Sequence, residues 1–124
     1  MQQKKIFDNE RLEAITVCRK FHRICIQKKL YLKGRTDRNE CARLMKTNHI
    51  YLCRKIKIAS GLSLNNFIKA IRLTIAYKLL STTNYNMTLV LKNCGYSDKS
   101  AFYRAFTKRF HCSPTTLRKR FFAN

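Results

Sequence analysis

Acidic residues are scarce in this 124-residue chain: six Asp and Glu stand against 27 Lys and Arg. The six are Asp8, Glu10, Glu13, Asp37, Glu40 and Asp98, scattered and mostly where helix caps or first turns would use them. They make no convergent carboxylate set for Mg²⁺, and there is neither an HExxH run nor a phosphate loop. An enzyme is therefore not expected, and no cofactor is implied. Long apolar runs are missing as well: none approaches the ~18 residues of a membrane span. The start, Met1-Gln2-Gln3-Lys4-Lys5, has no apolar h-region of a signal peptide. These absences point to a cytoplasmic protein without a membrane partner. No C-x-x-C pair occurs among Cys18, Cys25, Cys41, Cys53, Cys94 and Cys112. Without export, six cysteines do not suggest a disulfide framework. Cys18, His22 and Cys25 share a helical face, yet two Cys and one His leave a closed zinc site one ligand short. Six reduced cysteines, mostly buried as small hydrophobes, and no metal are expected.

What is present is positive charge, a net +21 at neutral pH. Self-repulsion on that scale in a compact chain calls for a polyanionic partner, nucleic acid ahead of an anionic membrane. The length suits one domain, or two very small lobes sharing a helix. Three glycines and one proline punctuate a helical pattern. Residues 1–8 are polar and expected to fray. From about Asn9 to Lys29, Leu12, Ile15, Cys18, Phe21 (or His22), Cys25 and Ile26 predict one face of a long amphipathic helix. After a break at Lys33-Gly34, Thr36 or Asp37 can cap a short helix to about Met45, in which small Ala42 allows close approach. Asn48 can cap the next, to about Ala59. Leu52, Ile56 and Ala59 would then face inward, with His49, Ile50, Cys53, Arg54 and Lys57 outward. Gly61 ends that helix. Ser63 opens a long one over 63–82, free of Gly and Pro, whose apolar residues on several faces suit a connector.

The stretch from Asn86 to Arg118 carries the sharpest signal. A short helix, a tight turn at Cys94-Gly95-Tyr96 and a longer basic helix behind Asp98 predict a helix-turn-helix, followed by a third helix opening at Ser113-Pro114. Phe102, Ala105, Phe106 and Phe110 would line the core side, with the stem of Arg109 at its edge. Lys99, Ser100, Tyr103, Arg104, Thr107 and Lys108 share the opposite face, where no carboxylate follows Asp98. A packed side and a cationic side are what a second helix needs to enter a major groove. The pattern also repeats: Leu52-x-Arg54-x-Ile56 maps onto Phe102-x-Arg104-x-Phe106 at an offset of 50, and Ser63 onto Ser113.

The run Leu-x3-Cys-Gly-Tyr-Ser-Asp-x2-Ala-Phe-x-Arg-x-Phe-x3-Phe-x2-Ser-Pro-x3-Arg, Leu91 to Arg118, closely resembles the C-terminal signature of the AraC/XylS family of bacterial transcription regulators. Residues 42–80 resemble the first half of the same domain, so the likeness covers about 36–120. It departs at Leu91 (usually a small Ala), Leu89 (often acidic), His111 (usually Gly) and Leu117 (commonly Tyr). The resemblance implies an all-α fold: two helix-turn-helix lobes, homeodomain-like bundles, joined by a long central helix, with an extra long N-terminal helix bracing the first lobe. The division would be 1–62, 63–82 and 83–124. It implies a sequence-specific, double-stranded-DNA-binding transcription regulator of the bacterial nucleoid, an activator, that sets two recognition helices in successive major-groove segments. The DNA-facing residues carried over by position, or taken as neighbouring phosphate contacts, are His49, Ile50, Cys53, Arg54 and Lys57, then Lys99, Ser100, Tyr103, Arg104 and Lys108. Arg54 and Arg104 are the base-reading candidates, because guanidinium bonds guanine O6 and N7 together. Lys55 and Arg109 join Lys57 and Lys108 as phosphate contacts or solvated surface. RNA polymerase is an implied partner. The chain is either a complete regulator acting as a monomer on DNA or the DNA-binding end of a longer sensor. The competing expectation is a nucleoid-type protein that binds nucleic acid through charge alone.

Overall fold

A computed structural model describes residues 2–122. Among them are seven α-helices and no strand: α1 Gln2–Gln27, α2 Arg38–Leu44, α3 His49–Ser60, α4 Leu64–Thr82, α5 Met87–Cys94, α6 Lys99–Phe110 and α7 Pro114–Phe122. A short 3₁₀ turn, Leu30–Leu32, lies between α1 and α2. The all-helical expectation holds, and 63–82 is one unbroken helix behind its first residue. Contacts divide the chain into two units. Unit 1 runs to Leu30 and resumes over Arg35–Ile68; unit 2 takes Tyr31–Gly34 and everything from Lys69 on.

The helix starts follow local chemistry. Asp37 accepts from the backbone N–H of Asn39 and Glu40, Asn48 from Tyr51, Ser63 from Asn66, Asn86 from Leu89, and Asp98 from Ser100 and Ala101. Each satisfies N–H groups that the first turn leaves open. The N–H of Thr116 likewise donates to Ser113, ahead of Pro114, which needs no N–H partner at the first helical position. Gly61 and Gly95 close α3 and α5 in the left-handed region, at φ 76° and 91°. His111 closes α6 at φ 60°, a conformation glycine adopts without strain.

In unit 1, α1 lies against α3. The expected stripe holds at Phe21 and Cys25 and fails at its ends. The buried positions are Ala14, Phe21 and Cys25, whereas Leu12 is 63% exposed and Ile26 40%. The helix also begins at Gln2, across residues expected to fray, and stops at Gln27; Met1 lies outside the described residues. Lys29, expected inside the helix, has φ 53°. Phe21 meets Phe67 of α4, their ring centroids 5.8 Å apart, and Leu52 and Ile56 of α3 are fully buried. Ala42 is buried, as a position of close approach requires.

Unit 2 packs Leu73, Ala76, Leu80, Val90, Cys94, Phe102, Phe106 and Leu117 together. The rings run on from one another, with centroids 5.2 Å apart for Tyr96–Phe102, 5.6 Å for Phe102–Phe106 and 4.7 Å for Phe106–Phe110. Two arginines serve the backbone of this unit. Arg72, buried, donates from Nε to the carbonyl of Tyr31 and from Nη2 to that of Lys33, both at 2.7 Å. Arg118 donates to the carbonyls of Leu80 and Tyr85, both at 2.8 Å, tying the end of α4 to the loop after it. Gly95 has a second reason to be glycine besides its φ. A Cβ there would stand 2.2 Å from the carbonyl oxygen of Tyr31.

Candidate nucleic-acid interface

Helices α3 and α6 match position by position. Asn48 and Asp98 cap them, both are 12 residues long, and Gly61 and His111 close them. Leu52 and Ile56 in α3, and Phe102 and Phe106 in α6, are each fully buried. Burial of those pairs turns the intervening Arg54 and Arg104 to solvent, since a residue two along a helix lies on another face. Each unit therefore presents one exposed arginine from the middle of a helix fixed behind a turn.

On α3, Ile50 is 71% exposed in the first turn, while His49 and Cys53 are half-buried. The Arg54 side chain is 68% exposed, but it is not unattached: Nη2 lies 2.9 Å from Oε1 of Glu10 on α1. Lys57 is exposed and its Nζ donates to the carbonyl of Gly61 at 3.0 Å, so it also closes its own helix. Lys55 corrects the sequence reading. Expected as a phosphate contact or solvated surface, it is buried, its Nζ 3.4 Å from Oε2 of Glu13 and 3.9 Å from Oε1 of Glu10. Its charge is met by α1 because an unpaired ammonium at that depth would be costly. Tyr51 completes the cluster by donating its hydroxyl to Glu13. That bond, then Lys55, holds the Glu13 carboxyl below the usual carboxylate range, and Glu13 in turn pushes the Tyr51 phenol up. Sequence reading missed Glu10, Glu13 and Tyr51 as parts of the site. The available signal was two of only six acids spaced three apart, on one side of the first helix.

On α6, Lys99, Ser100, Arg104, Thr107 and Lys108 are exposed, and Tyr103 is half-buried. Tyr103, Arg104, Thr107 and Lys108 line a shallow open depression. The ammonium of Lys99 sits 5.8 Å from the centroid of the Tyr103 ring, and the Tyr103 hydroxyl is 3.3 Å from that of Thr115. Arg109 lies at the edge of the core stripe, its guanidinium 5.2 Å from the Phe110 ring. Among the described residues no acidic group pairs with Arg104, and no acid follows Asp98 in the chain.

Among the described residues no three of His, Cys, Asp and Glu come together as ligands, and exposed His22 is separated in environment from buried Cys25. All six cysteines are thiols. Cys25, Cys41 and Cys94 are buried and the others half-buried; burial pushes Cys25 up to about 12 and Cys94 up to about 11. Among the described residues no helix is long and apolar enough to cross a membrane.

A helix-turn-helix domain family matches residues 41–120. The transcriptional activator RhaR of Mannheimia succiniciproducens is 34% identical over 68 residues, which are 55% of this chain and 25% of RhaR. The chain spans about a quarter of the length of the curated relatives it matches. In fold it is similar to the C-terminal domain of AraT, a response regulator from Geobacillus stearothermophilus, with a TM-score of 0.69 at 24% identity, covering 84% of each chain. It is also similar to the DNA-binding domain of the global transcriptional factor AdpA, solved with a target DNA. There the TM-score is 0.66 at 19% identity, over 81% of this chain and 90% of that one.

Proposed function

Because this chain belongs to the AraC-type helix-turn-helix family, we propose that it is a sequence-specific DNA-binding transcription regulator. Helices α3 and α6 enter successive major-groove segments of one duplex. The matched faces of these helices carry the proposal: each buries its apolar pair and exposes an arginine at the same position, Arg54 and Arg104. Guanidinium reads guanine O6 and N7 as a pair of acceptors. Ile50, exposed in the first turn of α3, offers apolar contact to a thymine methyl. His49, Cys53, Lys99, Ser100 and Tyr103 border the two arginines, and Lys57 and Lys108 reach for phosphate. The net charge of +21 supplies the sequence-independent part of the affinity.

The copies follow in tandem along one chain, so the preferred site is asymmetric or a direct repeat, bound by a monomer in the cytoplasm. Activation would then run through contact with RNA polymerase, as a DNA-bound activator requires. The test is site selection from random duplexes, followed by equilibrium binding of Arg54→Ala and Arg104→Ala to the preferred and a scrambled duplex. Each variant should lose ~1–3 kcal/mol on the preferred duplex and relax only one part of the site. Equal losses on both duplexes for both variants would leave a phosphate binder and end the sequence-specific reading.

A further inference from the structure

We propose that Glu10 is a positioning residue for Arg54, and that through it α1 raises the selectivity with which the first lobe reads DNA. This rests on α3 being a base-reading helix. Glu10 Oε1 takes one hydrogen bond from Arg54 Nη2, at 2.9 Å. A guanidinium carries five N–H donors in a planar fork, and this bond uses one of the two N–H groups on Nη2, so one two-donor edge of the fork, the second Nη2 N–H beside either Nε or Nη1, stays open for a pair of base acceptors. Glu10 is itself fixed from behind. Buried Lys55 lies 3.9 Å away, and Lys55 is held in turn by Glu13, which accepts from Tyr51. The arginine is thus braced by a carboxylate that belongs to a packed cluster, not by a swinging surface side chain.

Two effects follow, with opposite consequences for the right and the wrong sequence. Bracing orders Arg54 before DNA arrives, which favours the geometrically demanding bond to a base edge. The adjacent carboxylate also offsets the cation's pull on phosphate, which every sequence shares. An ion pair this exposed adds little to folding, and Lys55 keeps Glu13 if Glu10 is neutralised, so a Glu10→Gln chain should fold. The second recognition helix has no such brace: the positions matching Tyr51 and Lys55 are Ala101 and Ala105, and Arg104 has no acidic partner among the described residues. Selectivity is therefore weighted toward α3, and general affinity toward α6.

The experiment measures binding of the full chain, wild type, Glu10→Gln, Arg54→Ala and the double variant, to a selected duplex and a scrambled one at two salt concentrations. Glu10→Gln should tighten binding to the scrambled duplex about fivefold, the worth of one more released counterion near 0.15 M salt, and steepen its salt slope by about one unit. It should not tighten binding to the selected duplex, so the specificity ratio falls by at least that factor. In the double variant the ratio should equal that of Arg54→Ala alone. Equal tightening on both duplexes would make Glu10 a simple mask and overturn the proposal, as would an unchanged ratio. If Arg54→Ala itself leaves the ratio unchanged, the base-reading role of Arg54 fails, and this inference fails with it for that separate reason.

Discussion

Replacing Gly95 with alanine should be among the most damaging single changes in unit 2, and Gly61 provides the matched control. Both glycines end a helix in the left-handed region, at φ 91° and 76°. A Cβ on a left-handed residue costs ~1–2 kcal/mol, so both variants carry that term. They differ in what surrounds the added atom. At Gly61 nothing lies within 4 Å of it; at Gly95 it meets backbone, the Tyr31 oxygen at 2.2 Å, the Tyr31 carbonyl carbon at 3.1 Å and Leu32 Cα at 3.3 Å. Backbone cannot rotate away as a side chain can, so the Tyr31–Gly34 segment must move. That segment supplies both carbonyls to the buried Arg72 guanidinium. Hydrogen bonds from a charged group contribute ~1.5–3 kcal/mol each. Losing one with the backbone strain puts Gly95→Ala at roughly 2.5–5 kcal/mol, against ~1–2 for Gly61→Ala. Urea unfolding of both variants, extrapolated to water, measures the difference. Equal destabilisation within about 0.5 kcal/mol would refute the collision and reduce Gly95 to a cap.

His111→Gly should raise stability by roughly 1 kcal/mol, the left-handed penalty less the extra chain entropy of glycine, and thermal melting would show it. Glu13→Gln should flatten the acid side of the stability profile. A depressed carboxyl stabilises above its unfolded value, near 4.5 here, and that contribution is lost as pH falls through the lower folded value. Urea midpoints at falling pH should therefore drop more steeply for the wild type than for Glu13→Gln. Titration with a thiol reagent at neutral pH should modify Cys53 and Cys112 well before Cys25 and Cys94, whose thiolates burial disfavours. Lys108→Ala should weaken selected and scrambled duplexes alike and lower the salt slope by about one unit, read from binding at several salt concentrations.

From α2 onward the helices were legible because caps and closures are local, whereas α1 starts and stops earlier than its pattern predicts. Asp37, Asn48, Ser63 and Asp98 each bond a backbone group two or three residues away, and residue type plus spacing is enough to find them. The buried face of α1 was only partly legible. Phe21 and Cys25 are buried as their spacing predicts, but Leu12 belongs to the same apolar pattern and is exposed, because which positions of a long helix are covered depends on what packs there. The outward arginines followed from the buried pairs flanking them. The cluster behind Arg54 did not, because Glu10 and Glu13 reach residues 38 to 44 positions away. Lys55 misled for the same reason: a cation reads as surface until distant carboxylates meet it.

The four residues Tyr31–Gly34 make the second unit discontinuous in the gene. A fragment starting at Lys69 would contain every helix from α5 onward, yet it would release Arg72 into a fold without the two carbonyls that hold its charge, and would bare one side of Gly95. Trimming the chain to its second lobe therefore discards a piece of that lobe. Fragments meant for binding or spectroscopy should retain residues from Tyr31, or join the four residues to Lys69 through a designed bridge. In the intact chain, protease nicking between Leu32 and Gly34 should loosen the lobe some 35 residues further along before it disturbs α1, and mass spectrometry of the first cleavage products would show which helices open next.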